Sequence, residues 1–321
     1  MAITAATVQG DFSGFLPADI AGPIFERAAR MSVVQQLARQ VPLGPNGSSI
    51  PVVTGRPAAG WVDEAGTKPA SSGSMTLKSI APKKLAAILV VSAEVVRSNP
   101  GNYIATMRES LAESFAVAFD NAALHDAGPD GTAGAGPFAT YIDQATKVQE
   151  LGATSVANGG IYADLIAALA DIVSDVDASG RRYRLTGWAL DDVVEPVILG
   201  AVDTTGNPVF IDKPMDDTTA AARPGRLLGR PSFMGEGVAS PNLTSVVGYG
   251  GDWSQAAWGV IGGISYDVST EASVTINGSL TSLWEKNLVA IRAEAEYGFV
   301  VNDVDAFTKL TNIGNSPITS S

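Results

Sequence analysis

The hydrophobic pattern changes period several times along the chain. From Leu288 to Glu296, the apolar residues Leu288, Ala290 and Ile291 begin a run that alternates with Arg292, Glu294 and Glu296. A period of two is that of a strand with one buried face. Gly298 is expected to break this run before Phe299-Val300-Val301. Asn302-Asp303 should then turn the chain, and Ala306-Phe307 should re-enter an apolar layer. Elsewhere the period is helical. Ile104, Met107, Leu111, Phe115, Ala118 and Ala122 recur three or four apart, with Glu109, Glu113 and Asp120 off that stripe. Asn99 is a suitable N-cap with Pro100 at the first helical position, and Asn102 is the alternative cap. The pattern stops at Gly128-Pro129. From Tyr103 to Asp126 such a helix would run about 36 Å at ~1.5 Å per residue, the length of a spine across a flat molecule.

The remaining segments are shorter. Met1 to Leu16 is polar and without period, so it reads as an extended arm, and Ile20 to Arg39 carries Ile24, Ala28, Met31, Val34 and Leu37 at helical spacing. Ser48 to Ser92 reads as a long two-stranded excursion: Ile50 to Val53 going out, a Gly/Ser/Ala/Pro tip from Gly55 to Ser74, and Leu85 to Val91 coming back. A hairpin with so little core is marginal alone and requires another chain to pack on. Asp126 to Pro137 is Gly-rich, but it follows a helix and lacks a Gly-Lys-Ser/Thr ending, so it is no phosphate cradle. Beyond it, helix and strand alternate. Ile161 to Val176 reads as a helix stopping near Gly180, and Tyr183 to Trp188 as a strand with Asp191 or Asp192 capping the next helix. Gly225 to Phe233 and Val246 to Trp258 read as strands and turns.

At 321 residues the chain has room for two packed domains. Only 17% of residues are charged against 45% hydrophobic, which points to surface buried between subunits. The net charge of −12 is uneven: residues 1–100 hold nine Lys/Arg and six Asp/Glu, and the rest hold twelve and twenty-seven. A basic front over an acidic body suits a front draped on neighbouring bodies, and the acidic body argues against a dedicated nucleic-acid binder. No apolar run exceeds the seven residues Leu85 to Val91, no membrane span or secretory leader is read, and the lack of cysteine removes disulfides and thiolate metal sites.

The order of these segments carries a resemblance. Trp61 to Leu77 (WVDEAGTKPASSGSMTL), Leu228 to Pro231 followed by Gly251-Asp252-Trp253, and Trp284 to Glu294 (WEKNLVAIRAE) resemble segments of the HK97-type major capsid proteins of tailed bacteriophages. The similarity covers nearly the whole chain. It implies an α+β fold, the HK97 capsid fold, with an N-terminal arm, an extended β-hairpin loop, a spine helix in a peripheral domain and a mixed α/β axial domain. The implied division is 1–47 arm and short helix, 48–92 extended loop, 93–158 first part of the peripheral domain, 159–270 axial domain, and 271–321 final peripheral strands and tail. The implied function is architectural: pentamers and hexamers closing into an icosahedral shell around double-stranded DNA, assembled in the host cytoplasm and resident in the virion. Implied partners are further copies of the chain, a portal and a decoration protein. Some relatives carry a helical scaffolding segment ahead of the arm. Here the arm begins almost at Met1, so a separate scaffolding protein, or none, is expected.

The resemblance also implies one piece of chemistry, an inter-subunit isopeptide bond. The matching positions are Lys68 in the loop, with Asn287 and Glu294, as base, on the final strand. The amine must be deprotonated to attack the amide, and burial beside a carboxylate promotes that. Equally, Lys68 can be an exposed ion-pair partner, Asn287 a strand-end residue and Glu294 an outward-facing strand residue. His125, the sole histidine, reads as a helix-end cation or surface residue. Trp188, Trp253, Trp258 and Trp284 read as core or interface anchors. No cofactor or metal is expected. An encapsulin-like nanocompartment would share the fold but enclose protein. A soluble oligomeric α/β enzyme would need a pocket of convergent titratable groups, and the sequence offers no obvious set.

Overall fold

The computed structural model describes residues 32–64, 66–94, 103–201, 205, 223–235, 237–239, 246–276 and 278–312. The expected arm and the caps expected at Asn99 or Asn102 lie outside them. In chain order the elements are α1 (Val33–Leu37), β1 (Arg39–Gln40), β2 (Ser48–Gly55), β3 (Ser74–Ile80), β4 (Lys83–Ser92), α2 (Tyr103–His125), β5 (Lys147–Leu151), α3 (Gly160–Ser174) and β6 (Gly187–Leu190). There follow α4 (Glu195–Leu199), β7 (Arg223–Leu227), β8 (Arg230–Met234), β9 (Val246–Gly251), β10 (Ala256–Ser269), β11 (Ser273–Ile276), β12 (Ser279–Ser282), β13 (Leu288–Val301) and β14 (Phe307–Asn312).

Two larger sheets organise the molecule. One has the order β1-β10-β13-β4, the other β5-β14-β9-β6-β8-β7, while β2-β3 and β11-β12 stand as separate two-stranded ribbons. In β13 the expected alternation is present: Arg292 is exposed, Glu294 and Glu296 are half-buried, and Ala293, Ala295 and Tyr297 face the core. Outward charges meet across the sheet, Arg292 with Asp267 of β10 at 2.5 Å and Lys84 of β4 with Glu294 at 2.6 Å. Gly298 does not break the strand. It pairs with Gly259 inside the β10–β13 ladder. A Cβ there would lie 2.8 Å from Ile80 Cγ1 and 2.9 Å from Leu43 Cδ2, so this glycine admits a close approach of side chains to the backbone.

The excursion differs from expectation in its return strand. β2 pairs with β3, whereas the Leu85–Val91 run lies in β4, antiparallel to β13. That run is apolar because Val90 and Val91 enter a buried cluster with Leu283, Leu288 and Val289. β3 (SMTLKSI) keeps Met75 and Leu77 exposed, so it lacks the inside–outside contrast that marks a strand. α1 ends at Leu37 rather than Arg39, because Arg39 pairs, parallel, with Ala257 of β10.

α2 matches the expected span, but its C-terminal half is enclosed on several sides. Ala112, Phe115, Ala116, Ala118, Phe119, Ala122, Ala123 and Leu124 are all buried. Phe119 packs against Tyr297 at 5.2 Å and against Phe138, Trp258 and Phe299 at 6.0–6.2 Å between ring centroids. Asp120, expected on the solvent side, is 1% exposed. It caps α1 from outside that helix, accepting the Ser32 hydroxyl at 2.5 Å and the N–H groups of Val33 at 2.8 Å and Val34 at 3.3 Å. In the second half, α3 buries Leu165 and Ile172, and Val176 beyond it is exposed. β6 starts at Gly187, later than expected, and Asp191 caps the following turn by accepting from the Val193 N–H. Leu228 and Gly229, with φ of 51° and 71°, form the tight β7–β8 turn that two left-handed residues favour.

Candidate functional site

The most exposed element is the β2–β3 ribbon. Every described residue from Arg56 to Leu77 is exposed. The ribbon is anchored at its base, where Ile80 packs with Leu43 and Val300. Its two legs run side by side: the Ser71 hydroxyl donates to the Ala58 carbonyl at 3.0 Å, and at the far end the Gly66 N–H donates to the Asp63 carbonyl at 2.9 Å. Val53, Met75 and Leu77 are exposed on the strands, and Trp61 at the tip is fully bare. Uncovered aromatic and aliphatic area on a ribbon with no core marks a surface meant for a partner. A second apolar exposure lies at the β11–β12 ribbon and the turn after it, where Leu280 and Trp284 are 76% and 73% exposed. Of the four tryptophans expected as anchors, Trp188, Trp253 and Trp258 are core residues and Trp284 alone is on the surface.

The three cross-link positions are placed as follows. Lys68 is exposed in the ribbon tip. Asn287 is exposed and closes the turn before β13 in the left-handed region, φ 53°. Its N–H donates to the Trp284 carbonyl at 3.3 Å and its carbonyl accepts the Ala93 N–H at 3.0 Å. It therefore precedes β13, the strand expected to hold it, instead of lying within it. Glu294 is half-buried on β13 and pairs with Lys84 at 2.6 Å and Arg292 at 3.4 Å. Seven residues of extended chain separate Asn287 from Glu294, roughly 20 Å or more at ~3.4 Å per residue, so one subunit does not bring that amide and that carboxylate together.

His125 is neither a surface residue nor a helix-end cation. It is 3% exposed, with Nε2 2.7 Å from the Val238 carbonyl and Nδ1 2.9 Å from the Tyr249 hydroxyl. Burial pushes its pKa below the usual 6.5, although the hydrogen bond to Val238 and the nearby Asp143 carboxylate oppose the shift. The Tyr249 hydroxyl also reaches Asp143 at 3.1 Å, and Lys309 of β14 pairs with Asp143 at 3.1 Å. This cluster ties the end of α2 to β9 and β14; it is packed polar structure and not an open site. Among the described residues no group of three or more His, Asp and Glu is arranged to hold a metal.

The model of the phage capsid family matches residues 13–312. The chain belongs to that family. The capsid protein is 41% identical over 316 residues to the probable major capsid protein gp17 of Mycobacterium phage L5, covering 96% of this chain and 93% of that protein. It is 40% identical to the gp17 protein of Mycobacterium phage D29, with 96% and 93% covered. Among solved structures, a chain of Gordonia phage Cozz superposes with a TM-score of 0.69 at 22% identity, covering 88% of this chain and 87% of that one. The capsid of an empty GTA particle, computed with C5 symmetry, superposes with a TM-score of 0.61 at 16% identity, covering 97% and 94%. The capsid protein thus has the HK97-like fold expected from its sequence, and it is a major capsid protein of the tailed-phage type, resident in the virion shell.

Proposed function

We propose that copies of this chain form pentamers and hexamers that close, in the host cytoplasm, into an icosahedral shell around double-stranded DNA. The observation that carries the reading is the β2–β3 ribbon, which exposes Trp61, Met75 and Leu77 and has no core of its own. Closed symmetry lets one such self-complementary contact, repeated, build a container. The C5 symmetry of the GTA particle supports the pentamer. The acidic body, net −15 over residues 101–321, would keep packed DNA from adhering to the wall. Portal, scaffolding and decoration proteins are proposed as partners, and the five-part division of the chain belongs to the same reading. Electron microscopy of protein purified without denaturant tests it: closed uniform shells are expected, whereas dimers or small rings alone would refute it.

The cross-link is proposed with one condition set by geometry. The Lys68 amine attacks the Asn287 side-chain carbonyl, an amide bond forms between them, and ammonia leaves. A base at Glu294 must then come from a different copy than Asn287, because one copy holds the two apart. Shells boiled in detergent should give ladders that Lys68→Ala collapses to one band. A single band from wild-type shells would exclude the bond.

A further inference from the structure

A groove of about 710 Å³ lies between the base of the β2–β3 ribbon, the loop after α3 and the adjoining ends of β10 and β13. Its charged lining is Arg39, Arg56, Lys78, Arg181, Asp177 and Asp303. Both carboxylates accept hydrogen bonds from their own surroundings, Asp177 on one oxygen and Asp303 on both. Asp177 accepts the Ser179 hydroxyl at 2.7 Å and the N–H groups of Ser179 at 2.9 Å and Arg181 at 2.8 Å. Asp303 accepts the Tyr183 hydroxyl at 2.5 Å on one oxygen and the Asp305 N–H at 3.1 Å on the other. Arg39, Arg56 and Lys78, by contrast, form no ion pair among the described residues. Three cations without an ion-pair partner among the described residues line one groove, and in a protein of net charge −12 they favour an anionic occupant.

We infer that this groove receives the ribbon tip of a second copy, with Asp63 and Glu64 set against Arg39, Arg56 and Lys78 and the bare Trp61 laid on a guanidinium. The inference rests on the shell reading and names where the ribbon lands. The tip carries the matching chemistry within four residues: an exposed indole, Val62 and two exposed carboxylates without ion pairs among the described residues. Trp over Arg is the favoured cation–π arrangement. A chain cannot fill its own groove. The legs stay together, with Ser71 bonded to Ala58 and Gly60 lying beside Pro69, so the tip projects away from Gly55 by up to about 30 Å, nine residues at ~3.3 Å each. The occupant is therefore a neighbour's tip.

Charge exchange tests the pairing. A groove variant (Arg39→Glu, Arg56→Glu, Lys78→Glu) and a tip variant (Asp63→Lys, Glu64→Lys) should each cut shell yield at least tenfold by sedimentation, while their circular dichroism stays that of the wild type. Combining all five changes should restore shells. Wild-type yield from either variant alone overturns the inference and leaves the shell reading intact; so does failure of the combined variant. The chain has no cysteine, which permits a second measurement on particles that do form. Arg56→Cys combined with Glu64→Cys should give disulfide-linked multimers on mild oxidation, and monomers only would overturn the docking. If wild-type protein forms no shells, the shell reading itself fails and this inference with it.

Discussion

Replacing Asp120 should alter both stability and its pH dependence. The carboxylate holds the N-terminus of α1 through three hydrogen bonds, and burial pushes its pKa from 3.8 up to about 7 against their pull. A carboxyl raised on folding stabilises the fold fully below its unfolded pKa, and that contribution is lost as pH rises through the folded value. From pH 5.5 to pH 8.5 the loss covers roughly 1.5 pH units, or about 2 kcal/mol at ~1.4 kcal/mol per unit. Asp120→Asn keeps the shape but cannot ionise, so it removes this slope. It also turns an NH₂ toward one of the three donors, leaving a buried donor unpaired at a cost of about 1–3 kcal/mol. The variant should therefore be the less stable protein at pH 5.5, and the gap should narrow by about 2 kcal/mol by pH 8.5, where the wild type carries its own buried charge. Urea unfolding of unassembled subunits at four pH values reads both quantities, and contributions from distant groups cancel in the difference. A gap that stays constant across the range would refute the burial of an ionisable carboxyl. No gap at pH 5.5 would refute its role as the cap of α1.

Gly298→Ala should cost about 1–3 kcal/mol, read as a lower urea midpoint, because the new Cβ overlaps Ile80 and Leu43; an unchanged midpoint would mean that the strands move apart freely. His125 should stay neutral at pH 6.5, with its proton on Nε2 facing Val238, and its contribution to stability is present above pH 6.5 and lost as pH falls through its lowered folded value. As the only histidine it gives one nitrogen-15 signal set, and a half-charged ring at pH 6.5 would contradict this packing. Asn287→Gly should change stability by less than ~0.5 kcal/mol, since glycine accepts the left-handed turn, yet abolish any detergent-resistant ladder; a surviving ladder would move the acceptor elsewhere.

What could be read from the sequence follows how many neighbours an element has. The last two strands, which lie in different sheets, were legible because β13 has polar and apolar faces, and Ala306-Phe307 does enter the core. The spine helix was legible in length but not in environment. A single stripe assumes one partner, whereas the end of α2 is surrounded, which hid the buried Asp120 and His125 among residues that read as outward. The ribbon was found and its return strand missed, because the apolar run that suggests a strand belonged to the neighbouring sheet. Lys68, Asn287 and Glu294 came from resemblance; the strand between Asn287 and Glu294 already sets them apart on one subunit, but the ion pairs of Glu294 with Lys84 and Arg292 left no linear signal. The basic groove left no linear signal, since Arg39, Arg56, Lys78 and Arg181 are scattered along the chain.

The sheet orders carry a consequence for timing. β13 lies between β10 and β4, and β14 lies between β5 and β9. In both sheets the strand synthesised last occupies an interior place. While the chain is still being translated, each sheet is two fragments with an open seam, and the distant pairings that close the seams are slow steps. Docking surfaces attached to those sheets are expected to stay unformed until β13 and β14 have been made. A truncated product would lack the frame that holds the ribbon, the groove and the spine helix in register. A subunit cut short before β13 is therefore expected to stay out of a growing shell.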